Sequence, residues 1–369
     1  MLTNSQKYKR TPKMSKKRIP NSISEISDEE EEFRIHLLPS SVAFDDFQHA
    51  HLIPLIDLAA LQQLQSSGCT TTAEKVVEQM ASACREWGMF QIINHGVSQA
   101  VIDRCRASAA SVFALPIQEK MKAKRLGDGS FHGYGSGSAV MKSDYTDIWS
   151  EAFYVMDSTL PGDSSYYATK IWGPDGNTEF RDALQDYLTA MRKLMVQLME
   201  ALMIQGLGLN PEFVREYAEC QLGLRMNFYK PCPEPAKHVG VPRHTDGTLM
   251  TILHQADVGG LQVEKDGQWI SVKPRADAFC VNIGDYGQIL SNGLYKSAMH
   301  LAVGNESKTQ LTLATGLFPA SSLVVKPAPE LIDDEHPPLF KSITAGDFKM
   351  VKNKHPVAPL KHLSLKNSG

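Results

Sequence analysis

The stretch His244-Thr245-Asp246, followed after 53 residues by His300, decides how this chain folds. Residues i and i+2 of a β-strand point to the same face of a sheet, so His244 and Asp246 can bind one metal ion together. His300 must then arrive on a strand that returns beside them. Two imidazoles and one carboxylate on one face of a metal leave the opposite face open, which is the arrangement of non-haem Fe(II) centres. The sequence therefore predicts a metal site made by His244, Asp246 and His300.

Short strands separated by turns are predicted between these ligands. Residues 249–253 and 278–283 are rich in β-branched and apolar residues, and Asp266-Gly267 between two such runs predicts a hairpin. Apolar residues recur at three- and four-residue steps over residues 178–206, which predicts a long helix with one buried face. We expect an α+β protein with a double-stranded β-helix (jelly-roll) core and flanking α-helices.

Several ordered motifs resemble the plant 2-oxoglutarate- and Fe(II)-dependent dioxygenases over roughly residues 50 to 350. In the upstream half they are Ile53-Pro54-Leu55-Ile56-Asp57-Leu58 and Trp87-Gly88-Met89-Phe90-Gln91-Ile92-Ile93-Asn94-His95-Gly96-Val97. In the downstream half they are Arg225-Met226-Asn227-Phe228-Tyr229-Lys230-Pro231-Cys232-Pro233, Gly259-Gly260-Leu261-Gln262-Val263, Val281-Asn282-Ile283-Gly284-Asp285, Leu290-Ser291-Asn292-Gly293 and Tyr295-Lys296-Ser297, together with the three metal ligands. Residues 253–263 and 295–297 are most similar to the gibberellin-oxidase branch.

The resemblance implies a reaction and its cofactors. Fe(II) on His244, Asp246 and His300 would bind 2-oxoglutarate and O₂, and ascorbate is a possible further cofactor. Oxidative decarboxylation of 2-oxoglutarate to succinate and CO₂ would then drive hydroxylation or desaturation of a small plant metabolite. Tyr229 and Asn227 match the motif whose tyrosine touches the co-substrate carboxylate.

Position 310 departs from the family pattern. Ten residues after the distal histidine the family usually has Arg-x-Ser, which holds the 5-carboxylate of 2-oxoglutarate, and this chain has Gln310 and Thr312 there. Thr312 keeps a hydroxyl, whereas the neutral Gln310 cannot make the charge-assisted fork of an arginine. Lys308, two residues earlier on the same expected strand face, is the candidate replacement cation.

Three functions therefore stay open. The first is a 2-oxoglutarate-coupled oxygenase with a weakened or rebuilt carboxylate site. The second is a metal-dependent enzyme on the same scaffold that performs cyclisation, condensation or isomerisation without 2-oxoglutarate, using Fe(II) or Zn(II) as a Lewis acid. The third is a non-catalytic protein that binds a metabolite.

The chain divides into four predicted parts. Residues 1–45 carry blocks of like charge and are expected to form a disordered tail. Residues 46–220 form an N-terminal α/β region with a lid loop and the long support helix. Residues 221–350 form the jelly-roll core, and residues 351–369 a C-terminal tail.

The loop at residues 127–176 is the candidate lid, because long irregular segments often cover binding sites. Within it, Tyr134, Trp149 and Phe153 are the candidate substrate-pocket residues. The alternative is that their rings pack beneath the loop.

Composition limits the partners and the compartment. The net charge of −3 gives no general preference for nucleic acid or membrane, and no apolar run reaches the roughly 18 residues of a membrane span. The six cysteines include no Cys-x-x-Cys pair, which is typical of reduced thiols in a reducing compartment. We expect a cytoplasmic enzyme for a small-molecule substrate, with the nucleus not excluded, and the sequence does not indicate its oligomeric state.

Overall fold

The strands predicted around the metal ligands form two sheets in the computed structural model. The strands are β1 (Leu55–Asp57), β2 (Met89–Ile93), β3 (Gly133–Ser136), β4 (Glu151–Met156), β5 (Gln221–Tyr229), β6 (Val239–His244), β7 (Met250–His254), β8 (Leu261–Lys265), β9 (Gln268–Ser271), β10 (Phe279–Ile283), β11 (His300–Val303), β12 (Gln310–Phe318), β13 (Val324–Val325) and β14 (Ile343–Thr344). The larger sheet has the order β1-β2-β10-β7-β12-β5-β4-β3, and the smaller β6-β11-β8-β9. These two sheets form the predicted jelly-roll core, and β13 and β14 pair separately as a third sheet of two strands.

The structure describes residues 47, 49–62, 70–125, 132–136, 149–157, 163–235 and 238–365. The predicted tail at residues 1–45 and parts of the predicted lid loop lie outside them. The helices are α1 (Thr70–Glu86), α2 (Gln99–Ala114), α3 (Ile117–Met121), α4 (Ser164–Trp172), α5 (Thr178–Met199), α6 (Pro211–Ala218), α7 (Asp285–Leu290) and α8 (Ala345–Lys354). Within these ranges, no helix is both long and apolar enough to span a membrane.

Strand β10 shows that each face of the larger sheet packs against a different layer. Phe279, Val281 and Ile283 belong to the large core that also contains the helices. Cys280 alternates to the other face and packs with Leu261 and other residues of the smaller sheet. The larger sheet is therefore buried on both faces, with helices on one side and the smaller sheet on the other.

The long helix follows the predicted apolar periodicity. Asn177 caps α5 by accepting a hydrogen bond from the backbone N–H of Phe180, at 2.9 Å. The helix continues beyond Met199 as a π-helical segment, Glu200–Gln205, so the helical stretch ends where the sequence predicts. Its buried residues face the large core.

The C-terminal segment differs from the expectation. We expect a tail from residue 351, but α8 continues through Lys354, and Leu363 beyond it is only 5% exposed. Leu363 belongs to the large core, as does the fully buried Phe348 in the part of α8 that precedes residue 351. The predicted boundary at residue 220 stays a prediction, and the larger sheet contains strands from both sides of it.

Leu198 on α5 tests the packing of the helical layer. Its side chain is completely buried in the large core, so Leu198→Ala should lower the free energy of unfolding by about 2–5 kcal/mol. Lys193→Ala, at an exposed position of the same helix, should change it by less than about 0.5 kcal/mol. Urea denaturation measures both. Equal stabilities for the two variants would contradict this packing.

Candidate metal centre

His244 and His300 are brought together by strand pairing. Strand β6 ends at His244 and β11 begins at His300, and the two residues lie opposite each other in an antiparallel register. Their ring centroids are 4.3 Å apart. The returning strand that the sequence requires is therefore present, and it is β11.

Asp246 reaches the same point from a turn. The expectation that His244 and Asp246 share one strand is wrong, because β6 ends at His244 and Asp246 lies two residues beyond that end. Its Oδ1 nevertheless lies 3.4 Å from Nε2 of His244 and 3.7 Å from Nε2 of His300. One ligand atom from each of the three residues lies within 4.8 Å of the others.

Hydrogen bonds behind the three ligands fix their orientation. Nδ1 of His244 lies 2.8 Å from the carbonyl oxygen of Pro242, and Nδ1 of His300 lies 2.9 Å from that of Ala298. With Nδ1–H donating to a carbonyl, the Nε2 lone pair of each ring is available for a metal. The amide of Asn282 donates to Oδ2 of Asp246 at 2.9 Å, and Oδ1, which lies near both histidine rings, is the candidate ligand atom.

The donor set fits Fe(II). Burial, reinforced by the neighbouring His244, lowers the pKa of His300 to about 4, so this imidazole is neutral at physiological pH as a metal ligand must be. Two ligand atoms that are each about 2.1 Å from one ion at a right angle lie about 3 Å apart, close to the separations seen here. Two neutral imidazoles and one carboxylate suit ferrous iron.

The residues predicted to hold the co-substrate lie on paired strands. Gln310 lies opposite Tyr229, and Thr312 lies opposite Asn227 in the register of β12 with β5. The Asn227 amide donates to the Thr312 hydroxyl at 3.2 Å. Burial raises the pKa of Tyr229 to about 12, so its phenol is protonated and can donate a hydrogen bond.

Gln310 is buried with one of its polar atoms unsatisfied. Its side chain is 2% exposed, and Nε2 donates to the carbonyl oxygen of Val258 at 3.3 Å. Its Oε1 is buried and has no hydrogen-bond partner among the described residues. Tyr229 and Thr312 therefore remain the predicted hydroxyl donors to a distal carboxylate, whereas Gln310 offers only an amide without charge. The fit to 2-oxoglutarate is partial at this end.

Lys308 does not replace the missing guanidinium. The expectation that it shares a strand face with Gln310 is wrong, because β12 begins at Gln310 and Lys308 lies in the preceding turn. Its backbone N–H donates to the side chain of Asn305 at 2.8 Å, and the residue is exposed.

The strand registers identify the face of the larger sheet that points towards the three candidate metal ligands. Asn282, which holds Asp246, lies opposite Thr251, and Thr251 lies opposite Gly316. Gly316 in turn lies opposite Gly223 on β5. Side chains alternate along β5, so the metal-facing side of this strand includes Arg225, Asn227 and Tyr229. We name this side the metal face.

Two of the three predicted pocket residues lie on the opposite face. Tyr154 of β4 lies opposite Arg225 and therefore belongs to the metal face, so its neighbour Phe153 must point to the helices. Phe153 is fully buried, with its ring centroid 5.0 Å from that of Tyr167 on α4. Tyr134 lies opposite Phe153, and the expectation that these two rings line the pocket is wrong.

Tyr134 belongs to a buried polar cluster instead. Its hydroxyl donates to Oε2 of Glu151 at 2.7 Å, and Lys120 donates to the same oxygen at 2.6 Å. Trp149 is 38% exposed and its indole N–H donates to the carbonyl oxygen of Pro231 at 3.3 Å. Its role in a pocket stays a prediction.

The metal face carries aromatic residues that the sequence analysis did not single out. The ring of Tyr154 lies 5.8 Å from that of His132 and 6.2 Å from that of Phe318. Phe153 and Tyr154 differ in the face of β4 to which their side chains point. The run Glu151-Ala152-Phe153-Tyr154-Val155 does not show which of the two points to which face. Asn282 belongs to the motif Val281-Asn282-Ile283-Gly284-Asp285, but that motif alone does not predict its contact with Asp246.

Two family models match the chain. The model described as "non-haem dioxygenase in morphine synthesis N-terminal" matches residues 53–175, and the 2OG-Fe(II) oxygenase superfamily model matches residues 220–319. The oxoglutarate-dependent flavonoid 7-O-demethylase 1 of Ocimum basilicum is 36% identical over 80% of this chain and 76% of its own length. This chain belongs to the 2-oxoglutarate- and Fe(II)-dependent oxygenases. The family uses Fe(II) and 2-oxoglutarate.

Other relatives show how wide this oxygenase family is at similar identity. Gibberellin 3-beta-dioxygenase 1 of Arabidopsis thaliana is 35% identical over 75% of this chain and 77% of its own length. Gibberellin oxidases and demethylases thus match about equally. The crystal structure of JOX2 in complex with 2OG, Fe and JA has a TM-score of 0.72 at 30% identity, covering 90% of this chain and 96% of that one.

Removing any one metal ligand should abolish tight metal binding. His244→Ala, Asp246→Ala and His300→Ala each delete one of the three donors, and metal-dependent activity should be lost with it. Calorimetric titration of the metal-free protein with Fe(II) under nitrogen measures the binding. His336→Ala, at an exposed histidine whose ring hydrogen-bonds to Asp333, is the matched control and should bind as the wild type does. A variant of the triad with unchanged affinity would remove that residue from the site.

Proposed function

We propose that this oxygenase couples the oxidative decarboxylation of 2-oxoglutarate to hydroxylation or desaturation of a small, largely apolar plant metabolite. His244, Asp246 and His300 would hold the iron. The observation that carries the proposal is the convergence of three donor atoms within 4.8 Å, each oriented by a hydrogen bond from behind. Bound iron and 2-oxoglutarate would together activate O₂, and the protein's own residues provide position and environment.

The metal face supplies the remaining functions. Tyr229 and Thr312 would donate hydrogen bonds to the distal carboxylate of 2-oxoglutarate, and the Asn227 amide holds the Thr312 hydroxyl in place. Asn282 would keep one oxygen of Asp246 turned to the iron. The three ligands are buried or half-buried, which would limit the access of bulk water to the reaction.

Aromatic side chains support an apolar substrate. Tyr154 lies on the metal face with the rings of His132 and Phe318 near it, and we assign to these three rings the role that the sequence analysis gave to Tyr134 and Phe153. Two relatives are named for a flavonoid and for gibberellins, which are small plant metabolites. A substrate of plant specialised or hormone metabolism is the proposal that agrees with both observations.

The two alternative functions gain no support from the relatives, several of which are named as dioxygenases, demethylases or oxidoreductases. We assign the protein to the cytoplasm. The five cysteines within the described residues are all free thiols, as is usual in a reducing compartment.

Turnover of labelled 2-oxoglutarate tests the proposed reaction. Fe(II)-loaded protein with a plant metabolite extract should release labelled succinate, and more of it than without the extract. Asp246→Ala is the control and should release none. Consumption of a metabolite without 2-oxoglutarate would instead support the second function, and binding without conversion the third.

Gln310→Arg should tighten the binding of 2-oxoglutarate. A charge-assisted hydrogen bond to the distal carboxylate contributes about 1.5–3 kcal/mol, which corresponds to about tenfold to over a hundredfold in the dissociation constant. Gln310→Met, of similar size and without charge, should not tighten binding. Calorimetry with the Zn(II)-loaded protein measures both constants without turnover. Equal affinities of wild type and Gln310→Arg would show that position 310 does not face the distal carboxylate.

A further inference from the structure

We propose that Lys352, on the C-terminal helix α8, is a positioning residue of the metal centre and acts through the buried carboxylate of Asp285. The inference rests on the proposed iron site. Lys352 lies in the segment where the sequence predicts only a tail, and it belongs to none of the motifs that identify the family.

Asp285 joins three separate parts of the chain. It is the first residue of α7 and is 0% exposed. Its Oδ2 accepts hydrogen bonds from the Thr245 hydroxyl at 3.1 Å and from Nζ of Lys352 at 2.5 Å. Its Oδ1 accepts from the Ser297 hydroxyl at 2.8 Å. We name these four residues the Asp285 junction.

The Asp285 junction connects to both segments that carry metal ligands. Thr245 stands between His244 and Asp246, and the backbone N–H of Asp285 donates to the carbonyl oxygen of Asp246 at 2.7 Å. Ser297 precedes Ala298, whose carbonyl oxygen orients the ring of His300. One carboxylate therefore holds the turn after β6 and the segment before β11 in a fixed relation.

Lys352 offsets the free-energy cost of burying the Asp285 carboxylate. A buried carboxylate that loses its partner is strongly destabilising. Among the ion pairs of the described residues, Lys352 is the positively charged partner of Asp285. The lysine also donates to the Thr245 hydroxyl at 3.0 Å, so it contacts the ligand turn directly.

Gly247 leaves room for the lysine beside that turn. A Cβ atom at residue 247 would lie 2.9 Å from Cδ of Lys352, closer than such contacts ordinarily come. The aliphatic part of Lys352 thus passes over the residue that follows Asp246. Its position is coupled to the ligand turn by packing as well as by charge.

Helix α8 is docked by contacts that do not involve Lys352. Phe348 is fully buried, and its ring centroid lies 4.9 Å from that of Tyr286, the residue after Asp285. The Tyr286 hydroxyl donates to the carbonyl oxygen of Ala345 at 2.7 Å. Replacing Lys352 should therefore leave the helix in place and change only what the lysine does to Asp285 and Thr245.

Metal affinity tests the role of Lys352. Lys352→Met keeps the aliphatic length and removes the charge, and the dissociation constant for Co(II) should rise about 10- to 100-fold, as it does when outer partners of metal ligands are lost. Lys352→Arg should restore most of the affinity. Lys354→Met, at an exposed lysine of the same helix, should bind as the wild type does. Co(II) titration followed by calorimetry and by the visible absorption of the bound ion measures affinity and ligand geometry together.

Thr245→Val is a second variant that tests the proposal if Lys352→Met does not fold. It retains the Lys352–Asp285 ion pair and the backbone bond from Asp285 to Asp246, and it removes the hydroxyl through which both side chains contact the ligand turn, so it should weaken Co(II) binding in the same direction. An unchanged dissociation constant and spectrum in the folded variants would overturn the proposal, even if their thermal stability fell. A wild type that does not bind Co(II) would instead contradict the proposed iron site.

Discussion

The antiparallel pairing of β6 with β11 is the constraint on which the metal centre depends. It sets His244 opposite His300, and it turns both Nδ1 atoms to nearby carbonyl oxygens so that both Nε2 atoms face one point. Asp246, the third residue of the site, lies on a turn beyond the end of β6, where the hydrogen bonds between paired strands do not hold it. That turn is supported by Asn282 through the carboxylate and by Asp285 through the backbone.

Much of this was readable in the sequence because it is local or periodic. The spacing of His244, Asp246 and His300 predicts residues that the structure brings together, and Asp266-Gly267 marks a hairpin whose residues both have positive φ. The parity of β4 was not readable, because both of its faces are buried and apolar side chains occupy both. Phe153 and Tyr154 differ only in the direction that strand pairing gives them.

Lys352 and Gln310 show two further limits of sequence reasoning. The contact of Lys352 with Asp285 joins residues 67 positions apart, and no spacing rule predicts such a pair. The sequence shows that Gln310 departs from the family pattern, but whether Lys308 can replace the arginine depends on where β12 begins. The buried, unsatisfied Oε1 of Gln310 marks the part of the site that differs most from the family pattern.

Anomalous diffraction at the iron edge, from crystals of the Fe(II)-loaded protein grown without oxygen, tests the central claim most directly. The account predicts one iron peak at about 2.0–2.2 Å from Nε2 of His244, Nε2 of His300 and one carboxylate oxygen of Asp246. An iron peak bound elsewhere, or bound here without any one of these three atoms, would contradict it.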